Sequence, residues 1–312
     1  MDLNPNQQKN LYGFDNLFLD LKNLFDQNKL PNKILFSGQK GIGKCTLAYH
    51  LSNYILSINE IDPYNFEKKI INDANKSFKL VSNNSHPNFY LINLKDEKKS
   101  IEIEQVRKMI NYTNMSSFND GYKIILIDNV ENLNLNSVNA LLKIIEEPNN
   151  KVLFFLIHDI QKKIFDTFKS RCIQFKLSLP NNFKEKIINS LTDDNFYSQL
   201  NHHFKTYYST PGEYINFYYF CIDNNIDFVN TNIEDFLRII LSNSLYKKNN
   251  YIKENLNYFL ELFFIKKINH LSSKDKIYDL YNYFIKKINN VKKYNLDEER
   301  LFIELKAKCF NE

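Results

Sequence analysis

The tightest constraint on this chain is one run of nine residues, Gly38-Gln39-Lys40-Gly41-Ile42-Gly43-Lys44-Cys45-Thr46. It follows a short apolar strand signal, Lys33-Ile34-Leu35-Phe36, and leads into an apolar-periodic helix reaching about Leu56. Strand, glycine loop and helix in that order form the phosphate-loop arrangement. Side chains must not obstruct the loop if its backbone N–H groups are to converge on phosphate oxygens. The lysine then reaches the outer phosphates, and the helix N-terminus adds its dipole. Composition sharpens the signal. The chain has only 6 Gly among 312 residues, far below an average usage of about 7%, and three of them, Gly38, Gly41 and Gly43, lie in this loop.

The next position departs from the pattern. Magnesium calls for a Ser or Thr hydroxyl directly after the lysine, but this chain has Cys45, with Thr46 one place late and rotated by about 100° round the helix. A neutral thiol is a poor ligand for a hard cation. The almost uniformly apolar run Lys123-Ile124-Ile125-Leu126-Ile127 ends in Asp128, which suits a buried parallel strand delivering an acid to a metal. Asn129 follows where a hydrolytic site needs a glutamate, and an amide cannot act as a general base. The residues therefore predict a phosphate site with two hydrolytic parts missing.

The surrounding pattern alternates. A helical run carries Leu17, Leu21, Leu24 and Phe25. Strand-like Phe89-Tyr90-Leu91-Ile92 precedes a helix with Ile103, Val106, Met109 and Ile110. A helix from about Leu135 to Glu146, stopped by Pro148, precedes the buried strand Val152–Ile157. Alternating strands and helices predict a parallel α/β sheet. The stretch from about Asn59 to Ser85 is polar and reads as irregular and solvated. After Pro180 the pattern is helical, with longer segments near Ile233–Tyr246, Ile252–Ile268, Lys274–Val291 and Glu298–Phe310. Boundaries at Pro180 and near Asn230 predict an α/β domain over 1–179, a small helical domain over 180–229 and a helical C-terminal domain over 230–312.

A net charge of +5 neither requires nor excludes a nucleic-acid partner. The four cysteines, Cys45, Cys172, Cys221 and Cys309, show neither framework nor metal-pair spacing. The N-terminus lacks a basic-then-apolar leader, and no apolar run approaches the ~18 residues of a membrane span. The expectation is a reduced cytoplasmic protein with no membrane partner.

Beyond single motifs, the order of segments resembles a known family. Leu30-Pro31-Asn32-Lys33-Ile34-Leu35-Phe36-Ser37-Gly38, His86-Pro87-Asn88-Phe89, Ile103-Glu104-Gln105-Val106-Arg107, Ile127-Asp128, Asn139 through Pro148 and Ser170-Arg171-Cys172 are similar to the delta prime subunits of bacterial DNA polymerase III clamp loaders, within the AAA+ fold. The likeness is specific from about Leu11 to Pro180. The tau/gamma ATPase subunits are close relatives, and would be expected to carry Lys-Ser/Thr, Asp-Glu and a paired-cysteine zinc module. Here Cys45 and Asn129 stand at the first two, and Thr46 to Lys123 holds no cysteine, so no zinc is expected.

The resemblance implies a ring member with little or no ATP hydrolysis of its own and a C-terminal collar, assembled with tau/gamma and delta subunits. Through that complex it would act on the sliding clamp and primed DNA. Arg171 would reach into the neighbouring ATPase as an arginine finger, a task suited to a planar, permanently charged fork. Arginine is scarce, found only at 107, 171, 238 and 300. A surface arginine at a strand entrance is the plainer alternative. Gly38, Gly41, Gly43, Lys44, Cys45, Thr46 and Asp128 would form the nucleotide site; whether ATP and magnesium occupy it stays open. Two other readings also stand: an active tau/gamma-like ATPase, and a DNA-binding AAA+ factor outside the replisome.

Weaker signals complete the reading. Thr210-Pro211-Gly212-Glu213 sits where relatives place a sensor-2 arginine, and Gly13 lies in the segment that relatives fold toward adenine. Arg107 has a DNA-facing and a solvated reading. His86, His202 and His203 lack partners for a metal or catalytic role. The pairs Lys247-Lys248, Lys266-Lys267, Lys286-Lys287 and Lys292-Lys293 read as polar helix faces.

Overall fold

A computed structural model describes residues 4–94, 98, 100–146, 151–193, 195–205, 209–248, 250–270, 274–294 and 296–310. The predicted stop at Pro148 and the neighbouring Glu147 lie outside these. The described chain divides into two compact units, 1–187 with 210–212, and 188–209 with 213–312.

The first unit is built on five parallel strands in the order β2-β3-β4-β1-β5: β1 (Lys33–Gly38), β2 (Phe89–Ile92), β3 (Lys123–Ile127), β4 (Val152–Asp159) and β5 (Ile173–Lys176). Helices α1 (Asp15–Asp26), α2 (Lys44–Leu56), α3 (Lys76–Ser82), α4 (Ile103–Asn114), α5 (Leu135–Glu146) and the single turn α6 (Asp166–Lys169) connect them. The central strands are largely apolar because both sheet faces are covered. Ile34, Phe36, Ile124, Leu126, Leu153 and Phe155 join a core with α1 and α2. Leu35, Ile125, Ile127, Phe154 and Leu156 point to the opposite core, with α4 and α5. That two-residue alternation fixes the register of the sheet.

The polar stretch 59–85 is not a solvated insertion, contrary to its composition. It contains α3, and it buries Tyr64, Ile71, Phe78 and Val81 in the α1–α2 core. Asn75 caps α3 by accepting from Phe78 N at 2.7 Å and accepts again from the buried Asn53 amide of α2 at 2.9 Å. Helix α2 is consequently packed on several sides, burying Leu47, Ala48, His50, Leu51, Ser52 and Asn53.

The rest is helical: α7 (Asn181–Leu191), α8 (Phe196–Gln199), α9 (Pro211–Asp223), α10 (Ile233–Ser242), α11 (Leu245–Lys248), α12 (Asn250–His270), α13 (Lys274–Tyr294) and α14 (Glu298–Phe310). The second unit has one aromatic-rich core in which Phe196, Phe236, Phe259, Phe263, Phe284 and Phe302 are fully buried. Tyr246 stacks on Phe302 with ring centroids 3.8 Å apart. A P-loop parallel sheet followed by helices is the fold class that the sequence predicts. No described helix is long and apolar enough to cross a membrane.

Candidate functional site

The loop between β1 and α2 leaves the carboxyl ends of the strands, where open parallel sheets place their ligands. Gly41 and Gly43 have φ +84° and +95°, a left-handed region that other residues enter at a cost. Gly41 is also pressed against the Thr210–Gly212 turn. Gly212 N donates to Gly41 O at 3.0 Å, and a Cβ on Gly212 would lie 2.8 Å from Gly41 Cα. The Thr210–Gly212 turn is thus clamped to the loop backbone to backbone. On the other side, a Cβ at Gly43 would meet Phe14 Cε2 at 3.7 Å. Phe14 itself has φ +56°, and glycine scarcity gave no hint of this aromatic neighbour.

Lys44 is buried and turned under the loop, its Nζ donating to Gly38 O at 2.8 Å and Gln39 O at 2.6 Å. Burial lowers its pKa, opposed by the charges of Asp159, Asp128 and Glu131. Asp128 stands at the end of β3 as predicted; burial raises its pKa, with the Asn129 backbone opposing. Burial also pushes the Cys45 thiol well up. The residue next to the lysine is therefore a neutral thiol, and Thr46 follows it in α2. The backbone cradle fits phosphate, while the side chain at the magnesium position does not fit the cation.

Glu131, which no motif marked, completes this end of the sheet. Its side chain is 1% exposed; it accepts from Asp159 N at 3.2 Å and faces Lys162 Nζ at 3.5 Å. Asn129, in the expected glutamate position, has φ +58° and ψ +56°, a conformation that asparagine tolerates better than glutamate. Beside it, buried His158 joins β4 to β1. Its Nε2 faces the Lys162 carbonyl at 2.9 Å and so carries the proton, leaving Nδ1 to accept from Ser37 Oγ at 3.0 Å. Ser37 Oγ in turn accepts from the Gln174 amide at 2.8 Å.

Arg171 lies elsewhere. Its neighbours Phe168 and Cys172 are buried in the α4–α5 core and hold the intervening residues at the surface. β1 and β5 are parallel with Ile34 opposite Ile173. Ile34 is four residues before Gly38, about 13 Å at 3.3 Å per residue, and Arg171 lies two residues further back. It therefore sits at the amino edge of the sheet, away from the phosphate loop at the carboxyl edge. Its Nε donates to Glu146 Oε1 at 2.7 Å and its Nη1 to Thr167 O at 2.8 Å.

Arg107 lines a surface groove with Asn136, Asn139 and Lys143 between α4 and α5. Leu141 and Ile145 of α5 are core residues. His86 contacts Ser77 Oγ at 3.2 Å. The His202 and His203 rings lie 4.2 Å apart. Lys267 pairs with Glu234 at 3.6 Å, and Lys287 with Glu304.

The family profile described as DNA polymerase III, delta subunit matches residues 14–181. DNA polymerase III subunit delta' of Buchnera aphidicola subsp. Schizaphis graminum is 32% identical over 172 residues, 55% of this chain and 50% of that protein. The Pseudomonas aeruginosa delta' is 30% identical over 149 residues, 47% and 43% of the two chains. The chain thus spans about half the length of the curated relatives it matches. The gamma subunit of the same Buchnera is 31% identical over 176 residues, 56% and 46% of the two chains. Among solved structures, a gamma subunit-related protein of Thermotoga maritima superposes with TM-score 0.53 at 14% identity, covering 91% of this chain and 96% of that one, and shows the shared AAA+ fold. With the profile running over more than half of its length, the chain belongs to the DNA polymerase III delta subunit family.

Proposed function

We propose that this chain is a delta prime-type member of a clamp-loader ring that donates Arg171 in trans to a neighbouring tau/gamma-type ATPase. The observation carrying this reading is the position of Arg171 at the sheet edge opposite its own phosphate loop. A guanidinium there cannot serve the nucleotide of the same chain, whereas an adjoining subunit packed on that edge can receive it. The fork supplies fixed donors and a permanent charge to a γ-phosphate whose charge shifts during transfer. A neutral Cys45 and Asn129 in place of an acid leave the chain itself without a built hydrolytic centre. Its own loop supplies the backbone cradle and Lys44 for phosphate, whether or not ATP resides there.

On this reading the remaining partners are the delta subunit and, through the ring, the sliding clamp and primed DNA, in the cytoplasm. Residues 180–229 act as the small helical domain and 230–312 as the collar that holds the ring together. The test is Arg171→Ala in a complex reconstituted with a tau/gamma-type subunit. Fingers contribute on the order of 10³ to 10⁵ in GTPases, and a loss of at least about tenfold in DNA-stimulated ATP turnover is expected, with assembly intact. Unchanged turnover would refute the assignment. ATP turnover by the isolated chain would favour the active-ATPase reading instead.

A further inference from the structure

The contact between Arg171 and Glu146 carries more than a surface ion pair ordinarily would. Helix α5 runs back from β3 toward the start of β4, so its last residue, Glu146, arrives at the amino edge of the sheet beside the turn that carries Arg171. Glu146 Oε1 takes the Nε–H at 2.7 Å and the Thr167 carbonyl takes one Nη1–H at 2.8 Å. A guanidinium has five N–H donors in one plane. Two of them, Nε–H and one Nη1–H, are engaged by this chain; the Nη2 pair and the second Nη1–H take no acceptor among the described residues. The side chains are 38% and 50% exposed, so the pair adds little to folding. What it fixes is the plane and direction of the fork.

We infer that Glu146 is a positioning residue for Arg171, orienting the guanidinium so that its outer donors meet an anionic group of a neighbouring subunit. The inference rests on the finger reading above. A long arginine that must be ordered on docking costs rotamer entropy with each partner encounter, and an arginine already held on one edge avoids part of that cost. The carboxylate does a second thing. It partly neutralises the fork before docking, and a phosphate that approaches end-on, across the two terminal nitrogens, leaves the Nε–Glu146 bond intact.

The test is a double-mutant cycle in the full complex reconstituted with a tau/gamma-type ATPase, read as DNA-stimulated ATP turnover. Glu146→Ala is expected to lower kcat about two- to fivefold, the scale of an exposed charged pair, with KM for ATP and the assembly constant unchanged. Glu146→Gln, whose carbonyl still accepts from Nε, is expected to restore most of that loss. In an Arg171→Ala background, Glu146→Ala is expected to have no further effect. A slow Arg171→Ala complex alongside a full-rate Glu146→Ala complex would overturn the positioning role and leave the finger standing. Additive losses in the double variant would overturn it too. A full-rate Arg171→Ala complex would instead remove the finger reading itself.

Discussion

His50 offers a prediction about folding that can be worked through from the structure. It lies in α2, fully buried, with Nδ1 2.8 Å from the hydroxyl of Tyr64, a residue of the stretch once expected to be solvated. Burial lowers the His50 pKa to about 3, the Gln8 backbone partly opposing, against an ordinary value of 6.5. Between those values the unfolded chain binds a proton that the folded one refuses, so stability falls as pH drops below 6.5 and keeps falling toward pH 3. Integrated from pH 7.5 to pH 5, one such group withdraws about 2 kcal/mol. His86, also lowered by burial, acts in the same direction. Asp128, raised by burial, acts in the opposite one at lower pH. A substitution isolates the His50 part. His50→Gln keeps a hydrogen-bonding group near Tyr64 and removes the titration. Urea unfolding followed at pH 7.5, 6.5, 5.8 and 5.0 should show the wild type losing about 2 kcal/mol more than His50→Gln over that range. Parallel pH profiles, within about 0.5 kcal/mol of each other, would show that His50 is not sealed against protonation and that the 59–85 stretch does not cover α2.

Two further outcomes concern the loop. Gly212→Ala places a methyl 2.8 Å from Gly41 Cα and 2.9 Å from its carbonyl oxygen. With backbone on the other side there is little to give way, and a cost of about 1–3 kcal/mol is expected, seen as a lower urea midpoint. Gly121→Ala, whose Cβ would meet a side-chain amide at 3.2 Å, serves as the milder comparison. Lys44→Met removes the ammonium that Gly38 and Gln39 carbonyls accept from and that the Asp159, Asp128 and Glu131 charges favour. The two carbonyls lose their donor, and a loss of about 1–3 kcal/mol is expected in a nucleotide-free unfolding measurement.

How far the sequence could be read depended on whether a signal was local. The strand–loop–helix run, the β3 strand ending at Asp128 and the helix Glu298–Phe310 each follow from neighbours in the chain, and each appears where expected. Composition misled at 59–85, because its buried residues Tyr64, Ile71, Phe78 and Val81 stand among many polar ones and meet only when α3 and its flanks fold over α2. Glu131 carried no motif. Its burial comes from the pairing of β3 with β4, which brings Asp159 N to its carboxylate across 28 residues of chain. The partner of Arg171 was equally hidden. Glu146 lies 25 residues earlier, and only the return of α5 to the amino edge unites them. Asn129 shows the reverse case. Its identity was legible as a missing base, but its left-handed backbone was not, and that backbone makes asparagine a fit for the turn as well as a loss for hydrolysis.

The same geometry decides where a functional experiment should cut. In an ATPase the P-loop lysine is the usual target, since its loss removes phosphate binding. Here Lys44 is bonded to two carbonyls of its own loop, so its loss also removes two hydrogen bonds that shape the loop when no phosphate is near. Arg171 is the reverse. It is partly exposed, anchored by a pair worth at most about 1 kcal/mol to folding, and placed at the edge its own loop does not use. A loss of turnover on changing Arg171 would therefore report chemistry delivered to a neighbour, while a loss on changing Lys44 would first report the fold.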